Sequence, residues 1–174
     1  MELYRSIIEE LKGWKSRPDR KPLVLKGARQ TGKTWILEHF GRTEFEHVAS
    51  FNFDKDESLY EIFENTKVPE RIIAQLKLHT DSPILPHKTL IIFDEIQECN
   101  KALNALKYFC EDAPEYAVVA AGSLLGVALS KGDSFPVGKV EFMELYPLTF
   151  KEFLKVNDEK IYQYIEELSD IVPL

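Results

Sequence analysis

Cysteine is scarce in this sequence, whose 174 residues include only Cys99 and Cys110. Two cysteines do not make a disulfide framework in a chain of this size, and their spacing is not that of a metal site. They lie on one predicted helix, where a separation of eleven residues corresponds to about 16 Å. That distance is too long for a disulfide bond, so we expect two reduced thiols.

Long apolar runs are also absent. The sequence contains no stretch of about 18 apolar residues, no secretory signal and no lipidation motif, and each of these is the usual mark of membrane association or export. We therefore expect a cytoplasmic protein that makes no membrane contact.

An excess of positive charge is missing as well. The formal net charge is −7 and the isoelectric point is near 5.2, which argues against a surface built wholly for nucleic acid. Residues 12–29 are a local exception, with seven basic residues against Asp19: Lys12, Lys15, Arg17, Arg20, Lys21, Lys26 and Arg29. We interpret this run as a solvated face beside an anionic nucleotide, because nucleic-acid binding has no other support in the sequence.

Apolar residues are plentiful enough for one well-packed domain. They make up 44% of the chain, and 174 residues are enough for a single core but too few for a second full domain. We find no internal repeat, no low-complexity tract and no linker-like segment.

One stretch matches the phosphate-binding loop pattern G-x-x-x-x-G-K-[ST] at every fixed position. It follows the apolar run 22–25 and precedes a helical pattern at 35–40. Glycine allows the backbone to approach an anion, so that successive N–H groups and the N-terminus of the helix converge on phosphate oxygens. The predicted phosphate-binding residues are Gly27, Ala28, Arg29, Gln30, Thr31, Gly32, Lys33 and Thr34.

Two side chains of this loop have specific predicted roles. Lys33 is expected to reach the β and γ phosphates of a nucleotide. Thr34 is expected to offer its hydroxyl to Mg²⁺, a hard cation that prefers oxygen ligands. The cofactors implied are ATP and Mg²⁺.

The rest of the chain alternates strands with helices. The patterns predict strands at 22–26, 47–54, 89–93, 116–121 and 139–146. They predict helices at 3–14, from the loop to about Phe40 with Gly41 as its C′ residue, and at 57–64, 69–79, 100–111 and 124–130. This alternation predicts an α/β fold of three layers, a P-loop nucleoside triphosphatase with a five-stranded, mainly parallel sheet and helices on both faces.

Polar residues follow the predicted strands where ligands bind in such sheets, outside the carboxyl ends. Asp94 ends a buried strand, where a carboxylate holds Mg²⁺, and Glu95 follows as a group that could polarise an attacking water. Ser123 is either a sensor of the γ-phosphate or an ordinary turn residue. Asn52 and Asp54 are weaker candidates, for which turn chemistry is the favoured interpretation.

The spacing of the motifs bears on strand order. Asp94 lies 61 residues after Lys33, which leaves room for an extra strand between the loop strand and the Asp strand. With that strand, the order numbered along the chain is 5-1-4-3-2; without it, the order is 2-3-1-4-5. The extra strand together with the Asp-Glu pair favours hydrolysis coupled to shape change over phosphoryl transfer to a metabolite.

The sequence resembles the AAA-type ATPases of bacteria and archaea whose ATPase core is usually followed by a C-terminal domain of unknown function. The resemblance spans Trp14 to Phe153 and is carried by residues 21–34, Ile92-Phe93-Asp94-Glu95-Ile96-Gln97, 121–125, 135–140 and Leu145-Tyr146-Pro147-Leu148-Thr149-Phe150-Lys151-Glu152-Phe153. It implies phosphate, Mg²⁺, base and sensor roles for Lys33, Thr34, Asp94, Glu95 and Ser123.

The sequence departs from this family in two respects. No arginine follows Arg71, and Lys139 stands where the family would carry an arginine that reaches the γ-phosphate, often in a neighbouring subunit. Lysine lacks the planar fork of arginine, so this contact would be weaker. The second departure is length. The resemblance implies an ATPase core at 1–156 and a helical extension at 157–174 that begins a further domain, which we expect to lie outside this sequence.

The main hypothesis is an ATP- and Mg²⁺-dependent ATPase core that couples nucleotide state to a conformational change, to a protein partner or to its own C-terminal domain. The alternative is a nucleotide-dependent binding switch with negligible hydrolysis, which the missing late arginine favours. A small-molecule phosphotransferase would need a basic lid, and residues 124–139 offer only Lys131 and Lys139 for one. No pattern specifies an oligomeric state.

Overall fold

The computed structural model describes residues 5–123 and 138–171. Its helices are Ile7–Ser16 (α1), Lys33–Glu44 (α2), Ser58–Asn65 (α3), Pro69–Leu76 (α4), Asn100–Asp112 (α5), Phe150–Asn157 (α6) and Glu159–Ile171 (α7). Its strands are Leu23–Lys26 (β1), His47–Asn52 (β2), Thr89–Asp94 (β3), Ala117–Gly122 (β4) and Glu141–Glu144 (β5), and a 3₁₀ turn occupies Ile96–Glu98.

The strands form one five-stranded sheet in the order β2-β3-β4-β1-β5. All four strand pairings are parallel. Read from the other edge, this is 5-1-4-3-2, one of the two orders that the sequence left open, with β4 as the extra strand between β1 and β3. The order 2-3-1-4-5 does not occur, and the predicted fold class is confirmed.

Helices cover both faces of the sheet and give three layers. Residues of α3, α4 and α5 form one buried cluster with one face of the sheet, and residues of α1 and α2 form a second cluster with the other face. All six residues of β3 and all six of β4 are buried, as expected for central strands of a parallel sheet. The centre of the sheet therefore provides a rigid frame for the loops at its carboxyl edge.

The helix after the phosphate loop is longer than predicted. It continues to Glu44, so Gly41 lies inside α2 and is not its C′ residue. A Cβ atom at Gly41 would lie 2.6 Å from Cγ2 of Val48 on β2. Glycine is therefore needed at this position because the helix packs closely on the sheet, and the sequence pattern could not distinguish this use from a helix end.

Most other boundaries differ from the prediction by a few residues. Helix α1 begins at Ile7 and passes through Gly13 to Ser16, and β5 is limited to Glu141–Glu144. The helix predicted at 124–130 lies outside the described residues. Cys99 and Cys110 are free thiols, and no helix among the described residues is long and apolar enough to cross a membrane.

Candidate functional site

The phosphate loop connects the end of β1 to the first residue of α2. Gly32, the N-cap of α2, has φ 89°, and Gln30 has φ 62°. Nothing lies within 4 Å of a Cβ built on Gly32, whereas a Cβ on Gly27 would lie 2.4 Å from the carbonyl oxygen of Leu145. The first loop glycine is therefore required by close packing, and the second by its left-handed backbone conformation.

The Lys33 side chain folds back over this loop. Its Nζ donates hydrogen bonds to the carbonyl oxygens of Gly27 at 3.0 Å and Ala28 at 2.7 Å. Burial lowers the pKa of Lys33, and the nearby carboxylates of Glu95 and Asp94 oppose this effect. Both acceptors are neutral carbonyls, so the ammonium charge remains available to an anion in the loop.

The Asp94 carboxylate is the meeting point of three segments. Its Oδ2 accepts hydrogen bonds from the Thr34 hydroxyl at 2.9 Å and from Nδ2 of Asn52 at 3.0 Å. Its Oδ1 accepts one from the backbone N–H of Glu95 at 3.1 Å. Asp94 is buried, at 3% exposure. The fold thus brings the Thr34 hydroxyl and the Asp94 carboxylate together, although the two residues are 60 positions apart in the sequence. Such oxygen donors fit the preference of Mg²⁺.

Asn52 combines the two roles that its sequence position suggested. Its Oδ1 accepts hydrogen bonds from the N–H groups of Asp54 and Lys55, which is turn chemistry. Its Nδ2 binds Asp94, because β2 pairs with β3 in a register that sets these two residues side by side. The weaker candidate therefore belongs to the site as a support for the Asp94 carboxylate.

Glu95 is held in an unusual backbone conformation at the end of β3. It has φ 51° and ψ 43°, a left-handed region in which a residue other than glycine costs free energy. Its Oε2 accepts a hydrogen bond from Nε2 of Gln97 at 2.6 Å. Gln97 was not among the predicted site residues, although it stands in the same Asp-Glu-Ile-Gln run that carries the resemblance.

Ser123 lies next to the phosphate loop. It follows Gly122, which is paired in register with Lys26, the residue before the loop. The Ser123 hydroxyl is buried and has no hydrogen-bond partner among the described residues. A buried hydroxyl without a partner is costly, so a ligand or water that bonded to it would remove this cost.

Lys139 is not brought together with the other predicted residues. It precedes β5, whose first residue Glu141 pairs with Leu23 at the start of β1, and it therefore lies towards the amino edge of the sheet. Its Nζ forms an ion pair with Glu111 at 2.9 Å, and this hydrogen bond raises the pKa of Lys139. Within one chain Lys139 is thus not part of the phosphate site, and a role in a neighbouring subunit stays a prediction.

A crevice of about 440 Å³ lies at the carboxyl edge of the sheet. The loop lines one side of it, with Lys33 and Thr34, and the other side carries the acids Asp54, Glu95 and Glu98. These carboxylates would repel a triphosphate unless a cation accompanied it. No group of three or more histidine, cysteine or acidic residues among the described residues could hold a metal alone.

Several of the seven basic residues in the run at 12–29 contact acidic or aromatic side chains. Lys12 pairs with Glu9, Lys15 with Glu44 and Arg17 with Glu141. Arg20 lies over the Trp14 ring, with 6.0 Å between its Cζ and the ring centroid. These contacts favour the interpretation of the run as an ordinary solvated face.

Comparison with known proteins gives one family and one fold. A family model described as AAA domain matches residues 19–154. The solved structure described as Drosophila ORC bound to DNA is similar to this chain, with a TM-score of 0.56 and 16% sequence identity. The similarity covers 93% of this chain and 47% of the ORC chain, so this chain spans about half the length of that protein. None of the curated proteins compared with the chain matches it.

Proposed function

Because the chain belongs to the AAA domain family, we propose that it binds ATP with Mg²⁺ and hydrolyses the γ-phosphate bond. The observation that carries this proposal is the 2.9 Å hydrogen bond between the Thr34 hydroxyl and the Asp94 carboxylate, directly beside the phosphate loop. If residues 27–34 were an ordinary glycine turn with no phosphate to bind, there would be no reason for the Thr34 hydroxyl and the Asp94 carboxylate to lie together.

The proposed roles follow from the chemistry of each side chain. The N–H groups of the loop and the Lys33 ammonium bind the phosphates. Thr34 and Asp94 hold a Mg²⁺ ion, which when bound neutralises phosphate charge. Glu95 orients a water molecule and accepts its proton. The Ser123 hydroxyl, which has no hydrogen-bond partner in the described part of the chain, donates to a γ-phosphate oxygen or to that water.

Two substitutions test this proposal. Lys33→Ala should weaken ATP binding at least about tenfold, because the loop loses the ammonium group that is expected to reach the β and γ phosphates. Glu95→Gln should keep the affinity and stop turnover, since the amide cannot accept the proton. Calorimetric titration with ATP and MgCl₂ and release of inorganic phosphate are the measurements. Lys88→Ala is the matched control, because Lys88 is exposed and paired with Glu46. Turnover by Glu95→Gln at the parent's rate would refute the base assignment.

A nucleotide-dependent switch without useful hydrolysis is the second candidate. It is favoured by the absence of any arginine after Arg71 and by the pairing of Lys139 with Glu111 away from the crevice. A single-turnover assay separates the two functions. Bound ATP that stays intact for hours would support the switch, and release of phosphate within minutes would support the ATPase.

The coupling of nucleotide state to a protein partner or to a C-terminal domain is also part of the proposal. Large apolar side chains of α6 and α7 are exposed, and they include Phe150, Phe153, Ile161, Tyr164 and Leu168. Clusters of this kind are typical of interaction surfaces. Amide hydrogen exchange in α6 and α7 should slow when ATP and MgCl₂ are added, and unchanged exchange would oppose the coupling.

A further inference from the structure

Arg5 and Glu152 form a buried ion pair that the nucleotide motifs do not explain. Each residue is 6% exposed, and Nε of Arg5 lies 3.4 Å from Oε1 of Glu152. Arginine and glutamate are almost never so buried unless they are paired. The pair joins the segment before α1 to the first turn of α6, positions 147 residues apart.

Glu152 uses both carboxylate oxygens. Oε2 accepts hydrogen bonds from the N–H and hydroxyl of Thr149, which completes the capping box of α6. Oε1 accepts hydrogen bonds from the N–H and hydroxyl of Ser6, each at 2.9 Å. With these partners on every side, the carboxylate holds Arg5 in one orientation.

The Arg5 guanidinium extends from this carboxylate to the phosphate loop. Its Nη2 donates to the carbonyl oxygen of Tyr146 at 2.6 Å, and its Nη1 donates to the carbonyl oxygen of Thr31 at 3.5 Å. The Arg5 guanidinium thus links three places: α6, Tyr146 shortly after β5, and the phosphate loop. Arginine suits this arrangement because its donors form a fixed fork.

The Thr31 carbonyl matters because it belongs to the same peptide unit as the Gly32 N–H. In a trans peptide these two groups point in opposite directions, so a bond that holds the carbonyl toward Arg5 turns the N–H away from it. Gly32 lines the crevice and no atom lies within 4 Å of a Cβ built there. Glycine permits a peptide to rotate at little cost, and the hydrogen bond from Arg5, at 3.5 Å, restrains this rotation and with it the direction of the N–H.

We propose that Arg5 is a positioning residue of the phosphate loop, held in place by Glu152, and that α6 is thereby coupled to nucleotide affinity. This inference rests on the proposed function in one respect, namely that the loop binds the phosphates of a nucleotide. A displacement of α6 that carried Glu152 away from Arg5 would free the Thr31–Gly32 peptide and weaken phosphate binding.

A second ion pair provides a matched control. Arg17 follows α1 and pairs with Glu141, the first residue of β5. It also joins a residue next to α1 to a distant part of the chain, but Glu141 pairs with Leu23 at the amino edge of the sheet, away from the loop. The two pairs differ in burial, since the Arg17 side chain is 46% exposed, and in whether the arginine also bonds the phosphate loop. Stability is therefore measured beside affinity, so that a loss from burial alone can be separated from a loss at the loop.

The test compares Arg5→Gln, Glu152→Gln, the double variant and Arg17→Gln in the whole chain. The affinity for ATP with MgCl₂ is measured by calorimetric titration, and stability is measured by urea unfolding without nucleotide. Arg5→Gln and Glu152→Gln should each weaken ATP binding about fivefold or more, and the double variant should be no weaker than Arg5→Gln, because the two residues act as one unit. Arg17→Gln should lower stability and leave ATP affinity within about twofold.

Hydrogen exchange of residues 27–34 without nucleotide gives a readout independent of ATP. Exchange should be faster in Arg5→Gln and unchanged in Arg17→Gln. If the parent did not bind ATP, the proposed function would fail while this exchange would still decide whether Arg5 orders the loop. If Arg5→Gln fails to fold, Arg5→Lys keeps the charge but loses the fork, and it should show the same direction of change. Parent-like affinity and exchange in these variants, or equal losses in Arg17→Gln, would overturn the proposal.

Discussion

The acid stability of this protein should depend strongly on Glu152. Burial by itself raises the pKa of this carboxyl, but the hydrogen bonds from Thr149 and Ser6 and the charge of Arg5 outweigh it and lower the pKa from 4.5 to about 2. A difference of that size corresponds to about 3 kcal/mol of stabilisation by the ionised form. Glu152 is 6% exposed, so water weakens this interaction less than it weakens surface ion pairs.

The sign of the pH dependence follows from the direction of the shift. Because the pKa is lower in the folded state, the folded state binds fewer protons at intermediate pH. The stabilisation is therefore complete above the ordinary pKa of 4.5 and is lost as the pH falls toward about 2. The variant Glu152→Gln has no charge at this position at any pH and should lack this contribution.

The assay is urea unfolding of the parent and of Glu152→Gln at fixed ionic strength, at pH 7, 5, 4 and 3, with the free energy of unfolding extrapolated to water. The two proteins should differ by about 3 kcal/mol or more at pH 7, since the variant also leaves the buried Arg5 charge without an opposite charge beside it. The difference should shrink steadily below pH 4.5. Glu46→Gln, whose ion pair with Lys88 is exposed, should differ little from the parent at every pH. A gap that stayed constant from pH 7 to pH 3 would refute this account of Glu152.

Two further changes test other parts of the structure. Gly41→Ala should destabilise the protein by about 1–3 kcal/mol, because the added Cβ would lie 2.6 Å from Val48. Gly13→Ala in helix α1 should stabilise it by about 0.5–1 kcal/mol, because a Cβ at Gly13 would meet no atom within 4 Å. Urea unfolding measures the stability of both variants. Equal changes in the free energy of unfolding for Gly41→Ala and Gly13→Ala would contradict the packing argument. MgCl₂ should raise the ATP affinity of Asp94→Asn at least about tenfold less than that of the parent, because the amide lacks the charge that holds the ion. Calorimetric titration with and without MgCl₂ measures this effect. An undiminished gain in affinity would show that Asp94 is not part of the metal site.

The phosphate loop and the class of fold could be predicted from the sequence because both depend on local chemistry. The glycines, Lys33 and Thr34 act within one turn of the backbone, so their spacing along the chain is also their spacing in space. The strand order was less predictable, and the sequence left two orders open. The strand between β1 and β3 is β4, which follows Asp94 along the chain, so the spacing of Lys33 and Asp94 could not place it. The pairing of Asn52 with Asp94 followed only from the register of β2 against β3.

Other features depended on contacts between distant residues, which no local pattern encodes. The sequence alone placed Gly41 at a helix end, and only the packing of α2 on Val48 explains it. It grouped Lys139 with the phosphate site by analogy, whereas strand direction sets Lys139 towards the other edge of the sheet. It gave no sign that Arg5 and Glu152 meet, because the separation of 147 residues is closed only when the segment before α1 meets the first turn of α6. Local backbone chemistry thus determined the phosphate loop, and tertiary packing alone decided which distant side chains support it.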